Sequence, residues 1–272
     1  MNNTPDFRAA TQTQQQMWSK GDFAMVASVV FNDANALVEE LEIFPGERVL
    51  DVACGSGNGA LAAARRAWGN TTGLDFVPEL LVRARERAAA ERLEIEFVEG
   101  DAQDLPFGDG EFDVTMSVFG AMFAPDQQRT ADELLRVTKP GGRIGMANWC
   151  PDGGLERLFL TVMKHTGGPP PGVMPPVLWG TADHVKQLFG DGVSEVRTER
   201  VKSRQPFYSP DHYIDFFRSY FGPIKGAYET VGPEGEQALT EDLRQMLTDV
   251  NTAGDRALVI EPEYLRVVAV RT

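Results

Sequence analysis

The sequence predicts an α/β protein built on a doubly wound, mostly parallel sheet. Between Glu47 and Trp149, short apolar runs alternate with helical segments of roughly ten residues, a pattern typical of parallel strands joined by helices. The first apolar run leads into a glycine-rich turn and then into an alanine-rich helix. Open α/β sheets bind their ligands at such turns, at the carboxyl ends of the strands. The sequence therefore predicts a ligand site at this point of the sheet.

The N-terminal segment, residues 1–45, is predicted to be helical. Trp18 to Val30 and Ala34 to Leu41 carry apolar residues at helical spacing, and Pro45-Gly46 ends the pattern. From there the predicted elements follow in order. Strands are expected at 48–53, 71–76, 94–99, 112–119 and 143–149, with helices at 60–68, 78–92 and 127–138.

The pattern changes after residue 150. The Gly- and Pro-rich stretch 167–176 predicts a loop, 182–189 a short helix, and 194–205 a strand. Residues 210–253 are mostly helical in pattern, with breaks at Gly222-Pro223 and Gly232-Pro233, before a final strand at 264–271. We therefore predict one domain over 46–272, with 151–180 and 207–262 as insertions that cap the sheet.

The composition excludes several classes of protein. The formal net charge of −14 argues against a nucleic-acid partner, since binding nucleic acid usually requires a basic surface. No apolar run approaches the roughly 20 residues of a membrane helix, and the polar first 17 residues carry no secretion signal, so we expect no membrane partner and a cytoplasmic location. Two cysteines and three dispersed histidines predict neither a disulfide framework nor a metal centre.

The glycine-rich turn distinguishes two cofactor classes. Dinucleotide-binding proteins use G-x-G-x-x-G to hold a pyrophosphate, whereas Gly55, Gly57 and Gly59 give G-x-G-x-G. Asp51, at the end of the strand before the turn, would repel a pyrophosphate. Its carboxylate suits the cationic amino-acid end of S-adenosylmethionine, directly or through water. The turn therefore favours S-adenosylmethionine over a nicotinamide dinucleotide.

Two more carboxylates follow the next two strands. Asp75 lies about 20 residues past the turn, where an acidic side chain accepts both ribose hydroxyl protons, although it could instead cap the helix that starts near Pro78. Asp101 follows the third strand, where it could accept a proton from the adenine amino group, and Ala102 could offer its backbone N–H to the ring. An aspartate in a plain turn is the alternative for Asp101.

Four segments in this order resemble the methyltransferase core of the ubiquinone/menaquinone-biosynthesis methyltransferases, which are class I S-adenosylmethionine-dependent enzymes. The matching stretches are 49–59, 100–107, 112–117 and 135–142. The resemblance implies a Rossmann-like sheet of seven strands in the order 3-2-1-4-5-7-6, with strand 7 antiparallel. The helical pattern of 210–253 adds a helical cap inserted between strands 6 and 7. The resemblance implies cofactor contacts at Asp51, Gly55, Gly57, Asp75, Phe76, Asp101, Ala102 and Ser117, to which we add Ala53 in the same turn. It fades after residue 150.

The resemblance also implies that the N-terminal segment covers the cofactor. We expect residues 18–26, with Trp18 against the cofactor, to close over the cleft as a lid. A helix that only packs on the edge of the sheet is the alternative.

An aromatic stretch in the cap is the predicted acceptor site. Tyr213, Phe216, Phe217 and Tyr220 fall on one face of a helix that starts near Pro210. This face either forms the core of the cap or lines an apolar pocket above the cleft, with the loop 167–179 as the opposite wall. In the second case His212 and Tyr213 are the weak candidates for a catalytic role, His212 as a proton acceptor.

The sequence thus predicts an S-adenosylmethionine-dependent methyltransferase that acts on a small-molecule acceptor by in-line displacement. A nicotinamide-dependent oxidoreductase and a non-catalytic binding module that retains the fold are the alternatives. The sequence identifies neither the acceptor nor its methylated atom.

Overall fold

The computed structural model describes residues 6–168 and 172–272 and contains a central sheet of seven strands. The order β3-β2-β1-β4-β5-β9-β6, with β9 antiparallel to both β5 and β6, confirms the predicted methyltransferase sheet. Two further strands, β7 and β8, pair in a small sheet of their own. The strands are β1 Val49–Val52, β2 Thr71–Asp75, β3 Ile95–Glu99, β4 Phe112–Val118, β5 Thr138–Trp149, β6 Val193–Lys202, β7 Gln205–Phe207, β8 Leu258–Ile260 and β9 Glu263–Arg271.

Helices cover the sheet and form the cap. Short 3-10 turns lie at Ser28–Val30, Ala121–Phe123, Pro176–Gly180, Gly190–Gly192 and Gly254–Arg256. The α-helices are α1 Phe7–Trp18, α2 Phe23–Ala27, α3 Phe31–Glu40, α4 Asn58–Ala67, α5 Pro78–Glu91, α6 Gln127–Val137, α7 Gly154–Thr166, α8 Ala182–Phe189, α9 Pro210–Tyr220 and α10 Gly222–Val250.

The glycine-rich turn follows β1, which lies at the centre of the sheet. β1 lies between β2 and β4, and its four residues are buried, as expected of a parallel strand covered on both faces. The chain then turns through Ala53 and Gly55, both with positive φ, before α4 begins after Gly57 at φ 89°. A left-handed backbone suits glycine because glycine has no Cβ. The turn therefore lies at the carboxyl ends of the central strands.

The structure corrects the predicted elements in three places. The helix expected over 18–30 is broken, because the Asp22 side chain accepts a hydrogen bond from Ala24 N and so starts a new helix, α2. The strand expected over 194–205 ends at Lys202, and the chain turns into β7, which pairs with the unpredicted β8. The insertion 151–180 contains helix α7, while residues 169–171 of the predicted loop, like residues 1–5 of the N-terminal segment, lie outside the described residues.

The cap has an apolar core of its own. Helices α7, α9 and α10 pack together with the β7–β8 pair, and this cluster includes Leu158, Phe217 and Leu243. Helix α10 is kinked at Gly232, which has a φ of 63° and is followed by Pro233. The proline cannot donate a backbone hydrogen bond, so it interrupts the hydrogen bonds of the helix at this point. Most of the cap, from β7 to β8, thus lies between β6 and β9 in the sequence, as predicted, whereas α7 joins it from the segment between β5 and β6.

The N-terminal segment touches the cap through two glycines. A Cβ on Gly21 would lie 2.0 Å from the carbonyl oxygen of Tyr220, and one on Gly222 would lie 2.1 Å from that of Met17. Asp22 N also donates a hydrogen bond of 3.0 Å to Tyr220 O. The linker between α1 and α2 therefore rests directly on the junction of α9 and α10.

We expect Gly222→Ala to lower the free energy of unfolding by about 1–3 kcal/mol, because the new methyl group collides with backbone that cannot rotate away. Urea unfolding of the purified protein measures this. Gly168→Ala is the matched control, since a Cβ at this exposed position meets nothing within 4 Å. Equal stability of the two variants would show that the two segments are not in close contact.

Candidate functional site

A cleft of about 940 Å³, partly open to solvent, lies at the carboxyl ends of β1, β2 and β4. The glycine-rich turn forms its floor, and α1 and α2 form its roof. Eight of the residues predicted to bind the cofactor line the cleft: Trp18, Asp51, Ala53, Gly55, Asp75, Phe76, Asp101 and Ala102.

Two predicted residues, Gly57 and Ser117, do not line the cleft. Gly57 lies on the side of the turn that faces away from the cleft, where a Cβ would be 2.7 Å from Leu61 Cδ1. The buried Ser117 hydroxyl donates to Val52 O at 2.7 Å and accepts from Ala121 N at 2.8 Å. Ser117 therefore fixes the end of β4 against β1, and its contact with the cofactor stays a prediction.

The Asp51 carboxylate is buried with little compensation of its charge. Only 1% of the residue is exposed, and neither of its oxygens has a hydrogen-bond partner within the described part of the chain. Burial raises the pKa of Asp51 to about 7; the nearby Ala60 amide lowers it in part, and the negative charge of Asp75 raises it further. A buried carboxylate without partners is costly, so this position suits a cationic ligand.

Asp75 shapes the turn and also faces the cleft. Its two carboxylate oxygens accept hydrogen bonds from Gly55 N at 2.8 Å and Val77 N at 2.9 Å. Burial raises the pKa of Asp75 to about 6, and the amides of Val77, Gly55 and Phe76 partly offset this effect. Each oxygen keeps acceptor capacity, because a carboxylate has about four lone-pair directions.

Gln103 is a site residue that the sequence pattern does not reveal. Its side-chain amide donates to the Asp101 carboxylate at 3.0 Å and to Thr11 Oγ1 at 2.9 Å, and its carbonyl oxygen accepts from Asp126 N at 2.9 Å. Gln103 thereby orients Asp101 and ties helix α1 to the cleft. Its partner Thr11 is 92 positions away in the chain, a separation that no local pattern records.

Arg87, on helix α5, is a second such residue. The half-buried Arg87 guanidinium donates to Ser56 O at 2.7 Å and to Asn58 Oδ1 at 2.9 Å. Burial lowers its pKa. Arg87 therefore braces the glycine-rich turn from behind, whereas Arg83 on the same helix is exposed.

The roof of the cleft is the N-terminal segment. Thr11, Trp18, Phe23 and Ala27 face the cleft, and Asn58 Nδ2 donates a hydrogen bond of 2.7 Å to Ala27 O. The segment therefore has the position expected of a lid. That it closes when ligand binds stays a prediction, which hydrogen exchange across residues 15–30 with and without S-adenosylhomocysteine would test.

The charges of the cleft fit S-adenosylmethionine. Its described lining includes three carboxylates, those of Asp51, Asp75 and Asp101, and neither a lysine, an arginine nor a histidine. S-adenosylmethionine carries a sulfonium and an ammonium cation, whereas a nicotinamide dinucleotide carries an anionic pyrophosphate. The orphaned Asp51 carboxylate and this charge pattern therefore match the first cofactor.

Comparison with known proteins agrees with this geometry. A family model described as "Methyltransferase domain" matches residues 49–142. A Mycobacterium tuberculosis protein described as uncharacterized is 42% identical over 88% of both chains. The demethylmenaquinone methyltransferase of Thermus thermophilus is 42% identical over 39% of this chain and 48% of its own length.

The chain belongs to the class I S-adenosylmethionine-dependent methyltransferases.

A solved structure shows the same fold. The YcgJ protein from Bacillus subtilis superimposes with a TM-score of 0.60 at 18% identity, covering 88% of this methyltransferase and 98% of that chain. The cofactor of the family is S-adenosylmethionine, as predicted. Among residues 6–168 and 172–272, no helix is long and apolar enough to cross a membrane.

A second cavity of about 620 Å³ adjoins the cofactor cleft of the methyltransferase. The two cavities share a wall made of Trp18, Phe23, Val30, Phe119 and Phe123. None of the described residues that line this second cavity carries a charged side chain. Apart from two indole rings, its polar side chains are those of Gln205 and Tyr213. The second cavity is thus an apolar chamber next to the cleft.

The aromatic face of α9 serves two purposes at once. Tyr213 and Phe217 stack at 4.1 Å between ring centroids within the core of the cap, and with Phe221 they also line the second cavity. Burial raises the pKa of the Tyr213 hydroxyl. Phe216 and Tyr220 are partly buried and lie outside the cavity wall.

Two parts of the predicted acceptor site lie outside the walls of both cavities. His212 is exposed, and its Nδ1 accepts a 3.4 Å hydrogen bond from Tyr208 N outside both cavities, because it lies on the opposite face of α9 from Phe217. No described residue of the loop 167–179 lines either cavity. Leu155 of α7 and Pro262 supply wall positions instead.

The buried carboxyl groups predict how stability depends on pH. Since the pKa values of Asp51 and Asp75 are raised to about 7 and about 6, the unfolded chain binds fewer protons than the folded chain between about pH 4 and 7. Asp33, whose pKa burial raises to about 6, acts in the same sense, so the stability of the cofactor-free protein should fall by on the order of 5 kcal/mol from about pH 5 to 8. The lowered pKa of His184 acts in the opposite sense.

Urea unfolding across this pH range, with and without S-adenosylmethionine, is the measurement. The gain in stability from the cofactor should grow with pH, because its cation compensates Asp51 only when that carboxyl group is ionised. Stability that is constant or rises with pH in the cofactor-free protein would contradict the burial of these charges.

Proposed function

We propose that this methyltransferase transfers the methyl group of S-adenosylmethionine to a neutral, apolar small molecule bound in the second cavity. The observation that supports this most is the shared wall. Trp18, Phe119 and Phe123 face both cavities, so the reactive end of a cofactor in the cleft can meet a molecule in the chamber. Ligand pockets that are mostly apolar with a few placed polar groups are typical of small-molecule sites.

In this proposal the three carboxylates hold the cofactor at separate points. Asp51 receives the ammonium group of the amino-acid end, directly or through water. Asp75 accepts hydrogen bonds from the ribose hydroxyls, and Asp101 with the Ala102 backbone recognises the adenine. Phe76 lines the same cleft next to Asp75. The cofactor supplies an activated methyl group on its sulfonium when bound.

The protein contributes mainly position. A nucleophilic atom of the acceptor forms a bond to the methyl carbon while the sulfur–carbon bond breaks and its electron pair returns to sulfur. Holding two reactants in this alignment can lower a barrier by about 7–11 kcal/mol. The shared wall contains no titratable side chain, so it offers no general base next to the reacting atoms. The acceptor is then a molecule that reacts without a side-chain base, such as an electron-rich ring, a phenol or a thiol, and the proton that it loses passes to solvent, to which the cleft is partly open.

The charge of the acceptor follows from the chamber. Moving a charged group into an apolar environment without a partner is costly, and the described wall of the second cavity offers no ion-pair partner. Amines, amino acids and phosphorylated molecules are therefore poor acceptors in this proposal. A nucleic acid also fits poorly, given the net charge of −14.

An acceptor panel tests the proposal by following release of S-adenosylhomocysteine. Neutral phenols, hydroquinones and aromatic thiols should give turnover above the rate without acceptor, whereas amines, amino acids and phosphate esters of similar size should not. Turnover confined to charged acceptors would contradict the apolar chamber as the acceptor site. Tight cofactor binding with no turnover on any class would favour a non-catalytic binding module.

A further inference from the structure

A chain of buried hydrogen bonds ends at the second cavity. The Ser203 hydroxyl and Asp33 Oδ2 are 2.6 Å apart, and Gln205 Nε2 donates to Ser203 Oγ at 3.2 Å. Asp33 is 9% exposed, Ser203 1% and Gln205 5%. Only Gln205 of the three lines the cavity. This series of hydrogen bonds therefore links the buried Asp33 carboxylate to a polar side chain, Gln205, in the wall of the second cavity.

The backbone around Gln205 is fixed on both sides. Gln205 pairs with Ile260 across the β7–β8 sheet, and Ser203 N donates to Pro262 O at 2.9 Å. Ile260 and Pro262 also line the cavity. The side chain thus projects from a rigid part of the wall, which suits a group that recognises a ligand.

The Asp33 carboxylate determines which group donates in the two hydrogen bonds that link Asp33, Ser203 and Gln205. An ionised carboxylate only accepts, so the Ser203 hydroxyl donates its single proton to Asp33. The serine oxygen can then only accept from its other neighbour, which orients the Gln205 amide with its NH₂ group towards Ser203. The carbonyl oxygen Oε1 faces away from Ser203 and has no hydrogen-bond partner among the described residues.

Nothing in the β7–β8 pairing requires a buried acid at position 33. Burial raises the pKa of Asp33 to about 6, while the hydrogen bond from Ser203 lowers it. The same negative charge, after burial itself, helps to raise the pKa of Tyr264 to about 12. Buried charges without full compensation cost stability and are concentrated at functional sites.

We propose that Gln205 Oε1 accepts a hydrogen bond from a hydroxyl or N–H group on the acceptor, and that Asp33 and Ser203 are positioning residues that keep this oxygen directed into the cavity. The proposal rests on the proposed function, and it narrows the acceptor to neutral ring systems that carry a hydrogen-bond donor. Tyr213 is the other candidate, but a phenolic hydroxyl rotates and both donates and accepts, so it does not discriminate a donor from an acceptor.

The test uses two probes of similar shape, 2-naphthol and 2-methylnaphthalene, with the protein saturated by S-adenosylhomocysteine. The quantity measured is the ratio of their dissociation constants in each variant, because the different affinities of the probes for water cancel when ratios are compared. Gln205→Met should reduce the preference for 2-naphthol about tenfold or more, the loss expected for one well-placed hydrogen bond. Ser203→Ala should reduce it by a smaller factor, because the amide is then free to rotate.

Gln237→Met is the matched control, since Gln237 is exposed on α10 and bonds only to Glu241, and it should leave the ratio unchanged. Tyr213→Phe tests the rival residue. S-adenosylhomocysteine affinity and the melting temperature report whether each variant is folded. If Gln205→Met does not fold, the ratio in Ser203→Ala decides.

The outcomes separate this inference from the proposed function. A ratio that stays within twofold of the parent in the folded Gln205→Met variant, or in Ser203→Ala where it decides, overturns the inference and leaves the cavity as acceptor site. A loss of preference in Tyr213→Phe with none in Gln205→Met also overturns it. Failure of both probes to bind the parent protein overturns the cavity assignment, and with it both proposals.

Discussion

Asp51→Asn should weaken binding of S-adenosylmethionine at least tenfold and should stabilise the cofactor-free protein at about pH 8 by about 1–2 kcal/mol. Both effects have one cause. The buried Asp51 carboxylate has no hydrogen-bond partner among the described residues, so its charge destabilises the folded chain until a cation compensates it. Loss of a charge-assisted hydrogen bond costs about 1.5–3 kcal/mol, which corresponds to the expected loss of affinity.

Calorimetric titration and urea unfolding measure the two effects on the same preparation. Asp249→Asn is the matched control, because Asp249 is exposed on α10 and pairs only with Gln245. A gain in stability without loss of affinity would place the cation of the cofactor elsewhere. A loss of stability at pH 8 would show that Asp51 is compensated in the cofactor-free protein.

Leu155→Trp should lower turnover at least about a hundredfold while leaving S-adenosylhomocysteine affinity within about twofold, since a barrier increase of roughly 2.7 kcal/mol gives this factor. Leu155 lies on α7, is partly exposed, and lines the second cavity but not the cofactor cleft. An indole at this position occupies the space that the acceptor requires.

Leu160→Trp provides the control on the same helix, because the Leu160 residue is 51% exposed and lies outside both cavities. Turnover of any accepted substrate, followed by release of S-adenosylhomocysteine, is the measurement. If Leu155→Trp turned over as fast as Leu160→Trp, the acceptor would bind outside the second cavity. If it lost cofactor affinity instead, the indole would have entered the cleft.

The cofactor cleft could be predicted from the sequence because its chemistry is local. The glycine-rich turn, Asp75 and Asp101 each follow a strand directly, and parallel strands bring their carboxyl ends to one edge of the sheet. Sequence order alone therefore placed these residues together. Sequence order does not show the direction of the Ser117 side chain, because that direction depends on packing against β1.

The second cavity could not be predicted because its residues meet only in the folded chain. Its wall joins Phe23, near the start of the chain, to Gln205 of β7, and β8, which pairs with β7, has only three residues. Helix α9 shows what helical spacing can and cannot predict. The spacing of Tyr213 and Phe217 correctly predicted a shared face, but it could not show that this face serves the core of the cap and the cavity together.

The proposal that the acceptor meets the cofactor from the second cavity is tested most directly by a crystal structure of the methyltransferase with S-adenosylhomocysteine. We expect the amino-acid end at Asp51, the ribose at Asp75, and the sulfur atom exposed to the second cavity beside Trp18 and Phe123. A sulfur atom that faces bulk solvent, or one that the shared wall separates from the second cavity, would contradict the account.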